Sequence, residues 1–160
     1  SFLQGSFNAA WYQPLGARWR FALGTRARAI TASEAGSAFP LDLRNFNGGA
    51  TSVRSFAERE LGPVSAAGDT PLGGLVSGVV SAELSWEAWR NFEVAAFVDA
   101  GTTAAEVSSI LTADDLRYGV GLGLRYRLPV GPLRVDYGVN PDRRDGEAAG
   151  ALHVTFGFAF

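Results

Sequence analysis

The sequence predicts an all-β fold, an antiparallel β-barrel whose strands cross a membrane. Three observations carry that expectation. Apolar and polar residues alternate with a period of two in seven segments, most of about ten residues. The connections between those segments are short and long in strict alternation. The composition, with 20 glycines, 11 phenylalanines, four tryptophans and four tyrosines, suits strands and turns rather than helices.

A chain of 160 residues is one domain's worth of protein, so residues 1–160 are read as a single module. Apolar residues make up 47% and charged residues 19%, with a mean hydropathy of +0.06, which excludes disorder. No uncharged run is long enough for a membrane-spanning helix. A net charge of −2 and a pI near 5.4 exclude nucleic acid as the main partner, because phosphate binding needs a basic surplus. All 14 basic residues are arginine. Without cysteine there is no disulfide, thiolate metal site or cysteine nucleophile, while an oxidising compartment stays open to the chain. The start at Ser1, with no leader of charged and then apolar residues, leads to the expectation that any signal peptide was removed or lies upstream.

Residues 2 to 13 form the weakest alternating segment, with Phe7, Ala9 and Trp11 opposite Ser6, Asn8 and Ala10. From residue 18, Trp19, Phe21, Leu23, Thr25, Ala27 and Ala29 oppose Arg18, Arg20, Ala22, Gly24, Arg26 and Arg28, so four guanidinium groups share one side. Val80, Ala82, Leu84 and Trp86 oppose Ser77, Val79, Ser81, Glu83 and Ser85. Phe92, Val94, Ala96 and Val98 oppose Glu93, Ala95, Phe97 and Asp99. Tyr118, Val120, Leu122, Leu124, Tyr126 and Leu128 oppose Arg117, Arg125, Arg127 and three glycines. Leu133, Val135, Tyr137 and Val139 oppose Arg134, Asp136 and Gly138. Over 151–160, Leu152, Val154, Phe156, Phe158 and Phe160 oppose His153, Thr155, Gly157 and Ala159.

A soluble core and a lipid-facing wall write the same period, so the connections decide between them. Residues 14–17, 88–91 and 129–131 make tight turns, whereas 31–74, 100–114 and 140–149 are long. One rim of turns and one of loops is the arrangement of an outer-membrane barrel. About ten residues at ~3.3 Å each, tilted by ~40°, reach about 25 Å, the height of the apolar band. Gly119, Gly121 and Gly123 fall on the polar side, fitting a crowded inner wall. Trp86, Trp89 and Phe92 surround one tight turn, as an interfacial aromatic girdle would. Single-chain barrels have an even number of strands with both ends in the periplasm, so seven strands imply an odd number before Ser1.

The search for chemistry is negative. His153 is the sole histidine, and no nucleophile elbow, metalloprotease helix or P-loop occurs, so neither catalysis nor a metal or other cofactor is assigned. His153 reads as a polar residue of the inner wall. Gly119, Gly121 and Gly123 lie within a strand and lack the spacing of a dinucleotide fingerprint. The 31–74 connection is far longer than a hairpin loop and interleaves apolar anchors with turn residues, so it is expected to pack, while Arg54 within it reads, before any resemblance, as an ordinary exposed loop arginine.

Asn47-Gly48-Gly49, Val53-Arg54-Ser55-Phe56 and Leu61-Gly62-Pro63 resemble the sixth-loop signature of the Omp85 superfamily. Ala82-Glu83-Leu84, Phe97-Val98-Asp99-Ala100-Gly101, the 116–126 glycine segment, the 129–138 segment and the terminal phenylalanine follow in the family's order. The match runs from about residue 39 to 160 and is most similar to the bacterial surface antigen barrels of BamA/TamA type. The resemblance implies a sixteen-stranded barrel of which this chain is the C-terminal portion, so nine strands precede Ser1, with periplasmic POTRA domains before them. It implies residence in a Gram-negative outer membrane, contact with membrane lipids, client β-barrel proteins and accessory periplasmic assembly proteins, and insertion of those clients without ATP through a lateral seam.

By that resemblance the strand over 151–160 edges the seam, with Gly157 weakening it locally, and Phe156, Phe158 and Phe160 carry the end signal that assembly machinery reads. The loop motif implies that Arg54 folds into the lumen onto Glu83 and Asp99, and parity independently puts both carboxylates on the polar face. Removing Arg54 is then expected to leave two carboxylates opposed, at roughly 2–5 kcal/mol. Ser55 replaces the family's glycine, which carries a penalty if that position needs a positive φ or a close backbone approach. The rival expectation is a transport channel, either a two-partner secretion pore or a porin, with Arg18, Arg20, Arg26 and Arg28 selecting anions. A soluble barrel binder with apolar faces inward is the third.

Overall fold

A computed structural model describes residues 1–32, 39–67, 70–106 and 116–157. Seven strands form one antiparallel sheet in sequence order: β1 Phe2–Pro14, β2 Trp19–Ala32, β3 Val76–Trp89, β4 Phe92–Ala104, β5 Arg117–Leu128, β6 Gly131–Val139 and β7 Gly150–Phe156. Each strand pairs only with its chain neighbours, so β1 and β7 are the edges and the sheet is open. β1, the weakest alternation in the sequence, is paired with β2 from Phe2↔Ala32 to Pro14↔Arg20. Tight turns lie at one end, and the β3–β4 turn follows a register shift between Glu87 and Trp89.

The two faces separate as the period requires. Leu122 is 65% exposed, Leu152 64% and Val154 64%, while Arg54, Glu83, Asp99, Arg125, Arg134 and Asp136 on the opposite side are buried. A soluble barrel with inward apolar faces would invert this distribution. Trp19 stacks on Trp86 at 6.0 Å between ring centroids, Phe92 lies 4.8 Å from Tyr126, and Trp89 is exposed beside them. These rings make the girdle along the tight-turn rim.

The last strand differs from its expected span. Gly150–Phe156 is a strand, but Gly157 has φ +114°, a conformation side-chain-bearing residues rarely adopt, and the backbone bends there. The Gly157 N–H donates to the Pro132 carbonyl at 2.9 Å. Phe158 and Phe160 lie outside the described residues, as do parts of the 31–74 and 100–114 connections.

The long connection between β2 and β3 packs onto the polar face, as its apolar anchors predict. A 3-10 turn over Leu41–Leu43 leads into single bridges at Asn45↔Gly74, Asn47↔Leu61 and Val64↔Pro71. Asn47 Nδ2 donates to the carbonyls of Thr102 at 2.7 Å and Gly78 at 3.3 Å, tying the loop to β4 and β3. Val53, Phe56 and Leu61 pack with Val79 of β3 in one small core, and Ile30, Phe39 and Leu75 form another. Val79, like Phe97 and Ala95, is an apolar residue buried on the loop-bearing face.

Candidate functional site

The tip of the loop is a tight fold closed by the Gly49 N–H donating to the Phe56 carbonyl at 3.0 Å. Gly48 and Gly49 have φ +98° and +103°, and a side chain on Gly48 would run into the Ala57 backbone carbonyl. The glycine pair of the motif therefore makes the turn that aims Val53-Arg54-Ser55-Phe56 at the wall.

Arg54 is 1% exposed and Asp99 0%. The Arg54 backbone N–H and Nε donate to Asp99 Oδ2 at 3.0 and 2.8 Å, and Nη2 donates to Asp99 Oδ1 at 2.9 Å. Its Nη1 donates to Glu83 Oε2 at 2.7 Å. The planar fork thus serves carboxylates on β3 and β4 at once, which a lysine ammonium could not match. The guanidinium also lies over the Phe97 ring at 3.5 Å from its centroid. Burial alone would lower the Arg54 pKa, but the hydrogen bonds and charge of Asp99, with those of Glu83, raise it above its ordinary value.

The structure adds partners that the sequence reading passed over. Arg125 Nη2 donates to Glu83 Oε2 at 2.8 Å and its Nη1 to Asp136 Oδ1 at 2.5 Å. Arg134 Nη2 donates to Asp136 Oδ2 at 2.5 Å. Three guanidinium groups and three carboxylates therefore share one buried cluster across β3 to β6. Glu83 is held by Arg125 as well as Arg54, so it would keep a counter-ion without the loop. Parity was the available signal, since Arg125, Arg134 and Asp136 occupy the same face as Glu83 and Asp99.

The glycines of the wall have specific neighbours. A Cβ on Gly119 would strike the Ser55 side chain, one on Gly121 the Phe97 ring, one on Gly123 the Asp136–Arg125 pair, and one on Gly138 the Arg54 carbonyl. Gly119, Gly123 and Gly138 leave room for the loop tip and its ion cluster, and Gly121 leaves room for the Phe97 ring. Ser55 is accommodated by Gly119 and is not among the residues with positive φ, so the expected backbone penalty is absent. What serine brings instead is a buried hydroxyl with no hydrogen-bond partner among the described residues.

A second group holds the far side of the tip. Arg117 lies over the Phe56 ring at 5.3 Å and donates from Nη1 and Nη2 to Glu147 at 2.6 and 2.5 Å. Asn140 Nδ2 and the Arg144 N–H also donate to Glu147 Oε2, at 3.1 and 2.9 Å. Burial raises the Glu147 pKa, but its bonds to Arg117, Arg144 and Asn140 outweigh that and hold it below the usual carboxylate range. Near the tight turns, Glu93 binds Arg20 at 2.7 Å and Arg127 at 2.8 Å. Among the described residues, no group of three histidine, cysteine or acidic side chains is arranged to hold a metal.

The profile of the Omp85 superfamily domain matches residues 1–160. The chain belongs to the Omp85 superfamily. The outer membrane protein assembly factor BamA of Nitratidesulfovibrio vulgaris strain Hildenborough is 31% identical over 126 residues, covering 77% of this chain and 16% of that protein. The crystal structure of BamA from Haemophilus ducreyi lacking POTRA domains 1–3 shares the fold with a TM-score of 0.73 at 23% identity. That likeness covers 94% of this chain and 34% of the solved one. The Omp85 chain described here thus spans under a fifth of the length of its BamA relative. Its sheet is a segment of an outer-membrane β-barrel of the Gram-negative type, with the loop-bearing face as the lumenal wall.

Proposed function

We propose that this chain is the C-terminal portion of an outer-membrane assembly barrel that inserts client β-barrel proteins, working by conformational change and without covalent chemistry. The observation that carries the reading is the family's loop motif seated by Arg54 on Glu83 and Asp99, in a chain 31% identical to a BamA. The outward face meets membrane lipids, and periplasmic domains or accessory assembly proteins deliver clients. At the proposed seam the outer edge of β7 is the chemical resource, because lipid cannot satisfy backbone donors and acceptors exposed there and a client strand can.

The test uses the intact protein in lipid vesicles. A cysteine replacing Leu152 on β7 is scanned against cysteines on the first strand of the complete barrel. The oxidised pair should stop client assembly and reduction should restore it; undiminished assembly in the locked state would refute lateral gating. An anion channel is the weaker reading, since Arg20 is neutralised by Glu93 and the loop lies against the wall that the pore would use.

A further inference from the structure

We propose that His153 is a positioning residue that couples the edge strand β7 to the seated loop tip. Its Nε2 lies 3.1 Å from the Arg54 carbonyl oxygen. A carbonyl only accepts, so Nε2 carries the proton in this contact and Nδ1 is left for other partners. The carbonyl reaches that far because β6 has Gly138 beneath it: any side chain there would occupy the place of the Arg54 backbone. The loop tip thus crosses β6 on a glycine and touches the next strand. Asp136, facing His153 across the β6–β7 ladder, is engaged by Arg125 and Arg134, which leaves the imidazole for the loop.

The consequence is reciprocal. One residue, Arg54, anchors its side chain on β3 and β4 and its carbonyl on β7. Motion of β7 away from its place must release this bond, and unseating the tip must loosen β7 by the same coupling. Within the assembly reading above, on which its functional meaning rests, this links the seam strand to the loop.

Hydrogen exchange on the full-length protein in lipid nanodiscs, with no client present, tests the coupling. His153→Gln keeps an amide nitrogen near the Nε2 position, whereas His153→Asn puts one near Nδ1. We expect His153→Asn and His153→Ala to speed exchange across 52–57 by about fivefold, with His153→Gln close to wild type. Val53→Ala, which loosens the tip without touching β7, should in turn speed exchange across 150–156 while β1 and β2 stay protected. Equal behaviour of the Gln and Asn variants, or β7 unmoved by Val53→Ala, would overturn the proposal. Because no client takes part, failed gating in the crosslinking test leaves this result intact.

Discussion

Replacing Arg54 with alanine is the sharpest perturbation of the lumenal cluster. Asp99 is fully buried, and three hydrogen bonds reach it from Arg54, two of them from the guanidinium. After truncation Asp99 keeps, among the described residues, the Arg54 backbone N–H. Glu83 and Asp136 retain Arg125, and Asp136 also retains Arg134. The cost therefore falls on one carboxylate rather than on a repelling pair of Glu83 and Asp99. Stranding one buried charge costs about 3–5 kcal/mol, and the lost contact with Phe97 adds about 0.5–2 kcal/mol. Relaxation and water entry offset the second figure, so the seating equilibrium should weaken by roughly 3–5 kcal/mol, or about two to three and a half powers of ten. Proteolysis of the 39–75 loop in the intact barrel, followed with time at fixed protease, reads this directly. Arg54→Lys should fall between, because a point charge cannot fill both Asp99 oxygens and Glu83. In the double variant Arg54→Ala/Asp99→Ala the stranded charge is gone, so much of the loss should be recovered. A loop in Arg54→Ala as protected as in wild type, or a double variant no better than the single one, would refute the argument.

Gly138→Ala should unseat the same tip without touching any charge, since its Cβ would take the space of the Arg54 carbonyl; loop proteolysis should rise while strand content by circular dichroism holds. Ser55→Ala keeps the Cβ that Gly119 accommodates and removes an unpartnered buried hydroxyl, so it should strengthen seating by about 1 kcal/mol in the same assay. Glu147 has a depressed folded pKa, so its contribution is present above the ordinary carboxylate pKa and is lost as pH falls through the lower folded value. Hydrogen exchange over 140–149 should therefore accelerate only on acidification below the usual carboxylate range, and Glu147→Gln should show the faster exchange already at neutral pH.

The strands were legible because burial on one side and lipid on the other impose a strict period, from Trp19 to Val154, with no competing helical pattern. Glu83 and Asp99 were legible for the same reason, as charges with the parity of the inner face. Arg125, Arg134 and Asp136 carry the same parity, but nothing in their positions alone says that they join Glu83 and Asp99 in one cluster. Where Gly119, Gly121, Gly123 and Gly138 were concerned, sequence could mark a crowded wall but not the occupant of each gap, because that depends on the path of a distant loop. His153 was beyond local reasoning altogether: its partner is a backbone carbonyl 99 residues away, and a carbonyl leaves no trace in residue identity. The bend at Gly157 leaves no mark in the letters, where alternation continues unchanged, while its φ of +114° departs from strand geometry.

Charge and shape together explain why the loop has one place to sit. Without Arg54 the wall presents Arg125 and Arg134 to Glu83, Asp99 and Asp136, two positive groups against three negative ones, and one guanidinium closes the count. An apolar plug could be just as stable in such a space, since desolvating ions consumes most of what their attraction returns. It would not choose a register, whereas a fork that must meet Asp99 with both of its oxygens does. The glycines then shape the path: the Arg54 backbone lies over Gly138 and the Ser55 side chain over Gly119. Register and path are set independently of strand pairing, which rests on the ladders and the outward side chains. Losing the loop contacts should therefore leave the β1–β6 ladders in place while loosening the β7 edge that His153 holds to the tip.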